Sequence, residues 1–127
     1  PNKNHEVKDI KSVETKNYDF LVLPGGVKSL EKVRQNKDII NFISKFHKEK
    51  KIIACICSGA QLLISAKIVK GKKISGYYSM KDDIENAGAV YTDLPAVIDS
   101  KIVTTAHYKD LGPWMKAALE LYYKENK

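Results

Sequence analysis

The chain has 127 residues, the size of a single domain with room for a substantial hydrophobic core. Its composition, 43% hydrophobic and 29% charged, is typical of a globular protein, and no apolar run is long enough to cross a bilayer, so no membrane partner is expected. The formal charge of +7 comes from lysines spread along the chain, and Arg34 is the only arginine. Nucleic-acid binding favours clustered arginine, so no nucleic-acid partner is expected either.

The first two predicted segments lead to a glycine loop. Residues 7–13 alternate apolar and polar side chains, which predicts an edge strand or an extended approach segment. Residues 19–23 predict a strand buried on both faces, and Pro24, Gly25 and Gly26 close it. Two glycines permit positive φ and a close approach of the main chain. Their amides can lie near a developing negative charge, or the pair can be a plain tight turn.

Helical spacing of apolar residues follows the glycine loop. The pattern over residues 29–48 predicts a short helix and then a longer one that starts near Asn36. Glu31 lies in the first turn after the loop, where a glutamate usually only complements the helix dipole. His47 falls among lysines and is expected to be exposed.

Residues 51–64, KIIACICSGAQLLI, contain the strongest signal for a site. Residues 52–56 are a continuous apolar run, which predicts a strand buried on both faces inside a parallel sheet. Cys57 follows directly, then small residues and a predicted helix, which is the pattern of a nucleophile elbow. An elbow lifts the sulfur out at the carboxyl end of the sheet, beside the positive end of a helix dipole that favours the reactive thiolate. The alternative is that Cys57 is a small buried apolar residue.

Cysteine usage sets the expected compartment and metal content. Cys55 and Cys57 are the only cysteines, Cys55 is expected in the core, and the two are not expected to form a disulfide. Free thiols indicate a reducing compartment, so a cytoplasmic location is expected. A CxC pair with no further cysteine is poor evidence for zinc. We therefore expect no metal and no cofactor.

Further strands and helices alternate along the rest of the chain. Residues 74–78 predict a short strand, and residues 79–88 predict a helix with a glycine at its C-terminal end. Residues 96–105 predict a hairpin, and a loop over residues 106–110 leads to a closing amphipathic helix. The inner face of that helix is predicted to hold Trp114, Ala118, Leu121 and Tyr122. This alternation predicts an α/β fold with a mostly parallel sheet, in a single domain over residues 1–127.

Candidate site residues gather at one edge of such a sheet, because ligand sites lie beyond the carboxyl ends of the strands. The segments that reach this edge are Gly25 and Gly26 with Glu31, Cys57 with Ser58, and the loop over residues 106–108. His107 is the only histidine in a loop bordering the site, so it is the candidate base for a cysteine nucleophile. The alternative is that His107 is simply a residue of a surface loop.

Four segments in this order resemble the ThiJ/PfpI superfamily: LPGG at 23–26, ACICSGAQLL at 54–63, GKKISGYYSMKDDIENAGA at 71–89 and VTTAHYKDL at 103–111. That superfamily includes intracellular cysteine peptidases and Parkinsonism-associated deglycases and chaperones, and residues 71–88 look closest to the PfpI branch. The resemblance implies a flavodoxin-like three-layer sandwich of the class I glutamine amidotransferase-like fold. The family's first strand-helix-strand portion has no counterpart here, so an N-terminally incomplete domain is expected.

The resemblance also implies roles for individual residues. Cys57 is expected to be the nucleophile, with the amides of Ser58 and the Gly26 region as an oxyanion hole. Glu31 occupies the position of a family glutamate that in some members reaches a neighbouring subunit's site, so a homodimer or higher homo-oligomer is expected. Tyr77 matches a pocket tyrosine of the PfpI branch, and Tyr108 is placed with it in the substrate pocket.

Three departures from the family pattern bear on activity. The histidine that usually follows the cysteine and serves as its base is Ser58 here. The pattern TSR-x-P is replaced by residues 104–108, TTAHY, which lose the arginine and gain His107. The portion without a counterpart normally carries an acidic residue hydrogen-bonded to the cysteine.

The resemblance predicts a hydrolase or a glyoxalase- or deglycase-type enzyme in which the Cys57 thiolate attacks a carbonyl-type substrate. The substrate is expected to be a peptide, an α-oxoaldehyde or an adduct of one. Peptide hydrolysis is the less favoured of these without a good acid for the leaving amine. The alternative is a non-enzymatic stress protein, either a redox sensor through Cys57 or a chaperone-like subunit.

Overall fold

A computed structural model describes residues 9–125 of the chain. The strands are β1 (Phe20–Leu23), β2 (Ile52–Ile56), β3 (Lys73–Ile74), β4 (Val90–Tyr91), β5 (Val97–Asp99) and β6 (Ile102–Thr105). The helices are α1 (Val27–Val33), α2 (Lys37–Lys48), α3 (Ala60–Ser65), α4 (Lys81–Asn86) and α5 (Leu111–Glu125). The central sheet has the order β1–β2–β6–β5, in which β1, β2 and β6 are parallel and β5 is antiparallel to β6. Strands β3 and β4 form a separate parallel pair, and the predicted α/β fold with a mostly parallel sheet is confirmed.

Helices cover both faces of the central strands. One face of β2 and β6 packs against α1, α2, α3 and α4 in a single cluster of buried apolar side chains. The other face packs against α5, where Trp114 and Ala118 are buried and Leu121 and Tyr122 are half-buried, as the amphipathic pattern predicts. The Trp114 indole N–H donates a hydrogen bond to the Val103 carbonyl oxygen at 2.9 Å, so its polar atom is satisfied inside the core. Two helical layers around one sheet give the predicted three-layer arrangement.

The predicted turns and caps follow from local chemistry. The Asn36 side chain accepts hydrogen bonds from the amides of Asp38 at 3.0 Å and Ile39 at 3.3 Å, which fixes the start of α2. The predicted hairpin joins β5 to β6 through Ser100 and Lys101, both with positive φ, 52° and 66°. Positive φ at both central residues is the twist that suits a two-residue hairpin loop.

Strand β1 differs from the prediction that it is buried on both faces. In the described part of the chain it pairs with β2 alone and lies at the edge of the central sheet. Val22 is 44% exposed, and only Leu23 at the end of the strand is fully buried. An apolar run predicts a strand, but the burial of each face depends on which strands and helices lie next to it, and the run itself does not contain that information.

Three other expectations are corrected. Ile10–Ser12 form a 3₁₀ turn rather than part of a strand, because the Asp9 carboxylate accepts a hydrogen bond from the Lys11 amide; residues 7 and 8 lie outside the described range. The strand predicted at residues 74–78 ends after Ile74. His47 is half-buried instead of exposed, because the Lys72 ammonium packs onto its ring, with 2.7 Å between Nζ and Nε2.

Among residues 9–125, no helix combines the length and the apolar character needed to span a membrane.

Candidate active site

Cys57 sits on a strained turn between β2 and α3. Its φ is 60°, in the left-handed region that residues other than glycine rarely adopt. A 3₁₀ turn, Cys57–Gly59, leads directly into α3. A Cβ at Gly59 would lie 2.8 Å from the Leu23 carbonyl oxygen and 2.9 Å from that of Pro24, so only glycine fits between the turn and the end of β1. The predicted strand-turn-helix geometry is therefore present, with the cysteine at the carboxyl end of a central strand.

The two cysteines have opposite environments. Cys55 is 1% exposed and belongs to the apolar cluster, as predicted, while Cys57 is half-buried at the surface of the site. Both thiols are free. Burial raises the pKa of the Cys55 thiol far above its ordinary value, and the neighbouring Cys57 adds to that effect. Cys57 is accordingly the thiol that can react in the folded protein.

The glycine loop touches the elbow through two side-chain hydroxyls. The Gly25 N–H donates to the Tyr108 hydroxyl oxygen at 3.0 Å, and the Gly26 N–H donates to the Ser58 hydroxyl oxygen at 3.1 Å. Gly26 has φ of 118° and lies at the start of α1, which explains the need for glycine there. The family resemblance implies that the amides of Ser58 and the Gly26 region form an oxyanion hole. The two residues are neighbours, but the Gly26 amide donates its hydrogen bond to the Ser58 hydroxyl, and the oxyanion hole stays a prediction.

Gly25 lies in close contact with these groups. A Cβ built on Gly25 would lie 3.0 Å from Cys57 Cβ, 3.1 Å from the Tyr108 hydroxyl oxygen and 3.3 Å from Ser58 Oγ. These distances leave no room for a methyl group, so the lack of a side chain at Gly25 lets the glycine loop pack directly against the cysteine and the two hydroxyls. No pattern in the sequence pointed to the Tyr108–Gly25 contact, although both residues stood in segments predicted to border the site.

Tyr77 and His107 lie next to each other on another side of the elbow. The Tyr77 N–H donates to the Cys57 carbonyl oxygen at 3.1 Å, which ties the segment after β3 to the elbow. The Tyr77 side chain is 38% exposed, and its ring centroid is 6.4 Å from that of His107. Both residues are thus at the predicted edge of the sheet.

Within the described residues, the His107 ring is hydrogen-bonded to the main chain of its own loop. Its Nδ1 accepts the Lys109 amide at 3.0 Å, so the neutral ring carries its proton on Nε2 and can donate from that side. In the described residues, no hydrogen bond joins His107 to the Cys57 thiol. The role of His107 as base remains a prediction that this arrangement does not support directly.

Glu31 lies apart from the other candidates. It is exposed on α1, and its carbonyl oxygen accepts a hydrogen bond from the Gln35 side chain at 2.8 Å. Its carboxylate forms no ion pair within the described part of the chain. The prediction that it reaches a neighbouring subunit's site stays a prediction. No cluster of three or more metal-binding side chains occurs between residues 9 and 125.

A mostly parallel sheet between two helical layers, with a cysteine on a strained strand-to-helix turn, defines an α/β protein of the elbow type. The chain belongs to the DJ-1/PfpI family, whose sequence pattern matches residues 5–121. It is 40% identical over 104 residues to Deglycase PfpI of Pyrococcus furiosus, and this match covers 82% of this chain and 62% of that protein. It is 35% identical over 115 residues to Protein/nucleic acid deglycase 2 of Escherichia coli, covering 90% of this chain and 66% of the relative.

The fold also matches solved structures of the family. One is a two-domain protein of Anabaena variabilis that contains DJ-1/ThiJ/PfpI-like and ferritin-like domains. It superposes with a TM-score of 0.85 at 29% identity, over 89% of this chain and 32% of that one. The chain spans 62–65% of the length of the first three deglycase relatives it matches.

Proposed function

We propose that the protein is a cysteine-dependent enzyme that acts on the carbonyl group of an α-oxoaldehyde or of an adduct formed from one. The observation that carries this proposal is the half-buried Cys57 thiol on a turn with φ of 60°, packed against Gly25 beside the Tyr108 and Ser58 hydroxyls. A strained backbone kept at one reactive side chain is a mark of a functional site. The deglycase names of several relatives support the same substrate class.

The chemistry suits a small electrophile. The Cys57 sulfur adds to the aldehyde carbon, and the carbonyl oxygen becomes a hydroxyl after it gains a proton. Peptide hydrolysis demands more, because an acid must also protonate the leaving amine. His107 can donate from Nε2, but no contact places it at Cys57 among the described residues. We therefore favour aldehyde addition over amide cleavage.

Turnover assays with two thiol variants test this proposal. Wild-type protein should consume methylglyoxal, or release it from a glycated cysteine or arginine peptide, and should leave casein uncut. Cys57→Ser should reduce that turnover to background, because the nucleophile is lost. Cys55→Ala is the matched control, since Cys55 is buried in the core and its loss should leave turnover within about threefold of wild type. Equal activity of wild type and Cys57→Ser would contradict the proposal.

The same samples test a redox role. A sensor needs only an exposed, oxidisable thiol, which the half-buried Cys57 also provides. Intact mass after mild peroxide treatment would show reversible oxidation at Cys57. A wild-type protein that oxidises in this way without consuming any aldehyde would favour the sensor over the enzyme.

Assembly and compartment are part of the proposal. We expect a cytoplasmic homodimer or higher homo-oligomer in which the exposed Glu31 of one subunit approaches the site of the next. Light scattering on the purified protein measures the oligomer directly. If an oligomer forms, Glu31→Gln should lower turnover without changing the mass of the assembly.

A further inference from the structure

We infer that the Tyr108 hydroxyl is the proton donor to the substrate oxygen in the reaction of Cys57. This inference rests on the proposed function and adds a residue to it. Tyr108 stands where the family pattern TSR-x-P has its proline, so the hydroxyl is a feature of this chain's own sequence. Three observations support the assignment: the position of the hydroxyl, its hydrogen bond, and the way in which Ser58 is engaged.

The position of the hydroxyl matches that of an oxyanion donor. The Tyr108 hydroxyl oxygen and Cys57 Cβ both pack against Gly25, 3.1 Å and 3.0 Å from the point where a Gly25 Cβ would stand, so the hydroxyl and the cysteine are close neighbours. A carbonyl carbon bonded to the Cys57 sulfur brings its oxygen near this hydroxyl. Hydrogen-bond donors directed to the place where negative charge develops are usually the largest single contribution to acyl- and carbonyl-transfer catalysis.

The hydrogen bond from Gly25 leaves the tyrosine proton available. The hydroxyl oxygen accepts the Gly25 N–H at 3.0 Å, and within residues 9–125 the hydroxyl donates to no protein acceptor. A phenol that accepts one hydrogen bond is a better donor of its own proton, because the bonds of a chain polarise one another. The Gly25 amide thus acts on the substrate through Tyr108.

Ser58 is engaged differently. Its hydroxyl accepts the Gly26 N–H at 3.1 Å, and the residue is buried. Tyr108 is 49% exposed, so it borders the solvent side from which a substrate enters. We assign Ser58 to positioning of the Gly26 loop and Tyr108 to contact with the substrate.

The step balances without any added oxidant or metal. The Cys57 thiol gives its proton to water. The resulting thiolate forms a carbon–sulfur bond to the aldehyde carbon as the carbonyl π bond opens. Tyr108 transfers its hydroxyl proton to the carbonyl oxygen, which gives a hemithioacetal. The phenolate, held by the Gly25 N–H, then regains a proton from water.

Two electrophiles separate this role from a purely structural one. Iodoacetamide reacts with a thiolate by displacement and makes no oxyanion, whereas methylglyoxal or a peptide aldehyde makes one. Tyr108→Phe should lower methylglyoxal turnover and weaken the peptide-aldehyde adduct by about 10²–10³-fold, the range for loss of one oxyanion donor. Its rate of alkylation by iodoacetamide should stay within about twofold of wild type, because the elbow itself is unchanged.

Tyr123→Phe is the matched control, because Tyr123 is 63% exposed near the end of α5 and should change neither reaction. Equal aldehyde reactivity in wild type and Tyr108→Phe would overturn the tyrosine role while leaving the proposed function intact. A parallel loss of aldehyde reactivity and alkylation would also overturn it, in favour of a structural role. Wild-type protein that forms neither adduct nor product would overturn the proposed function and this inference with it.

Discussion

Gly25 lets the main chain of the glycine loop pass close to Cys57, the Tyr108 hydroxyl and the Ser58 hydroxyl. Its φ is not positive, so alanine can adopt the same backbone, and the constraint at this position is one of room. The nearest heavy atom to an added Cβ is Cys57 Cβ at 3.0 Å, which is fixed to the main chain. The Tyr108 hydroxyl at 3.1 Å is the far end of a partly exposed side chain and can move away. Substitution at Gly25 therefore acts on the site more than on the fold.

Gly25→Ala should lower methylglyoxal turnover by about tenfold or more, because the added methyl would press on Cys57 Cβ and displace the Tyr108 hydroxyl from its place beside the thiol. The midpoint of thermal unfolding should change by only a few degrees, since the displaced group lies near the surface. Steady-state kinetics and a thermal melt on one preparation measure both. Gly71→Ala serves as the comparison for turnover, because no heavy atom lies within 4 Å of a Cβ there; its positive φ of 77° should affect only the melt. A Gly25→Ala enzyme within twofold of wild type would show that turnover does not depend on the close packing of Gly25 against Cys57 and Tyr108.

The turn between β2 and α3 packs closely against the end of β1 at Gly59. Its φ of −56° is ordinary for any residue, but an added Cβ would meet two main-chain carbonyl oxygens at 2.8 and 2.9 Å and Cys55 Sγ at 3.0 Å. Main-chain atoms of β1 cannot move without shifting the sheet. The elbow geometry thus depends on the close approach of this turn to the end of β1.

Gly59→Ala should destabilise the protein by about 3 kcal/mol, the upper part of the range for overpacking a core. It should also change the rate of Cys57 alkylation, because the elbow has to shift. Gly71 is the opposite case, because there is room for a Cβ but the φ of 77° is unfavourable for alanine. Gly71→Ala should therefore lower the free energy of unfolding by about 1 kcal/mol through conformational strain. It should leave the rate of Cys57 alkylation unchanged. Urea unfolding and iodoacetamide rates measure the two effects. A larger loss for Gly71→Ala would mean that backbone conformation outweighs packing here.

The elements around the elbow were predictable because each is encoded locally. The apolar run of residues 52–56, the cysteine and the small residues after it specify strand, turn and helix within one short segment. The exposure of Val22 was not predictable, because it depends on which strands flank β1. The contacts that shape the site were equally hidden. The Gly26–Ser58 and Gly25–Tyr108 hydrogen bonds join residues 32 and 83 positions apart, and no periodicity reports such pairs.

At the scale of the whole molecule, a basic cavity lies opposite the candidate site. It is lined by His47, Lys48, Lys50, Lys72, Ser100 and Lys101, next to the amino ends of β2 and β6. Lys72 Nζ donates to His47 Nε2 at 2.7 Å and to the Ile68 carbonyl oxygen at 2.7 Å. Partial burial lowers the pKa of Lys72, and Asp99 partly offsets this. The positive charge of Lys72 therefore disfavours protonation of the neighbouring His47 imidazole.

His47 should therefore couple folding to pH. Burial, and then the charge of Lys72, hold the pKa of His47 below its ordinary value, so the unfolded chain takes up a proton on this residue more readily than the folded one. Stability then rises with pH across this titration and is lost as pH falls below about 6.5, the ordinary histidine value. Between about pH 7.5 and 5.5 the wild type should lose more stability than His47→Gln, whose amide oxygen can still accept from Lys72 and does not titrate. Urea unfolding across this range measures the difference, and parallel profiles for the two proteins would mean that the proton goes onto His47 equally in the folded and unfolded chains.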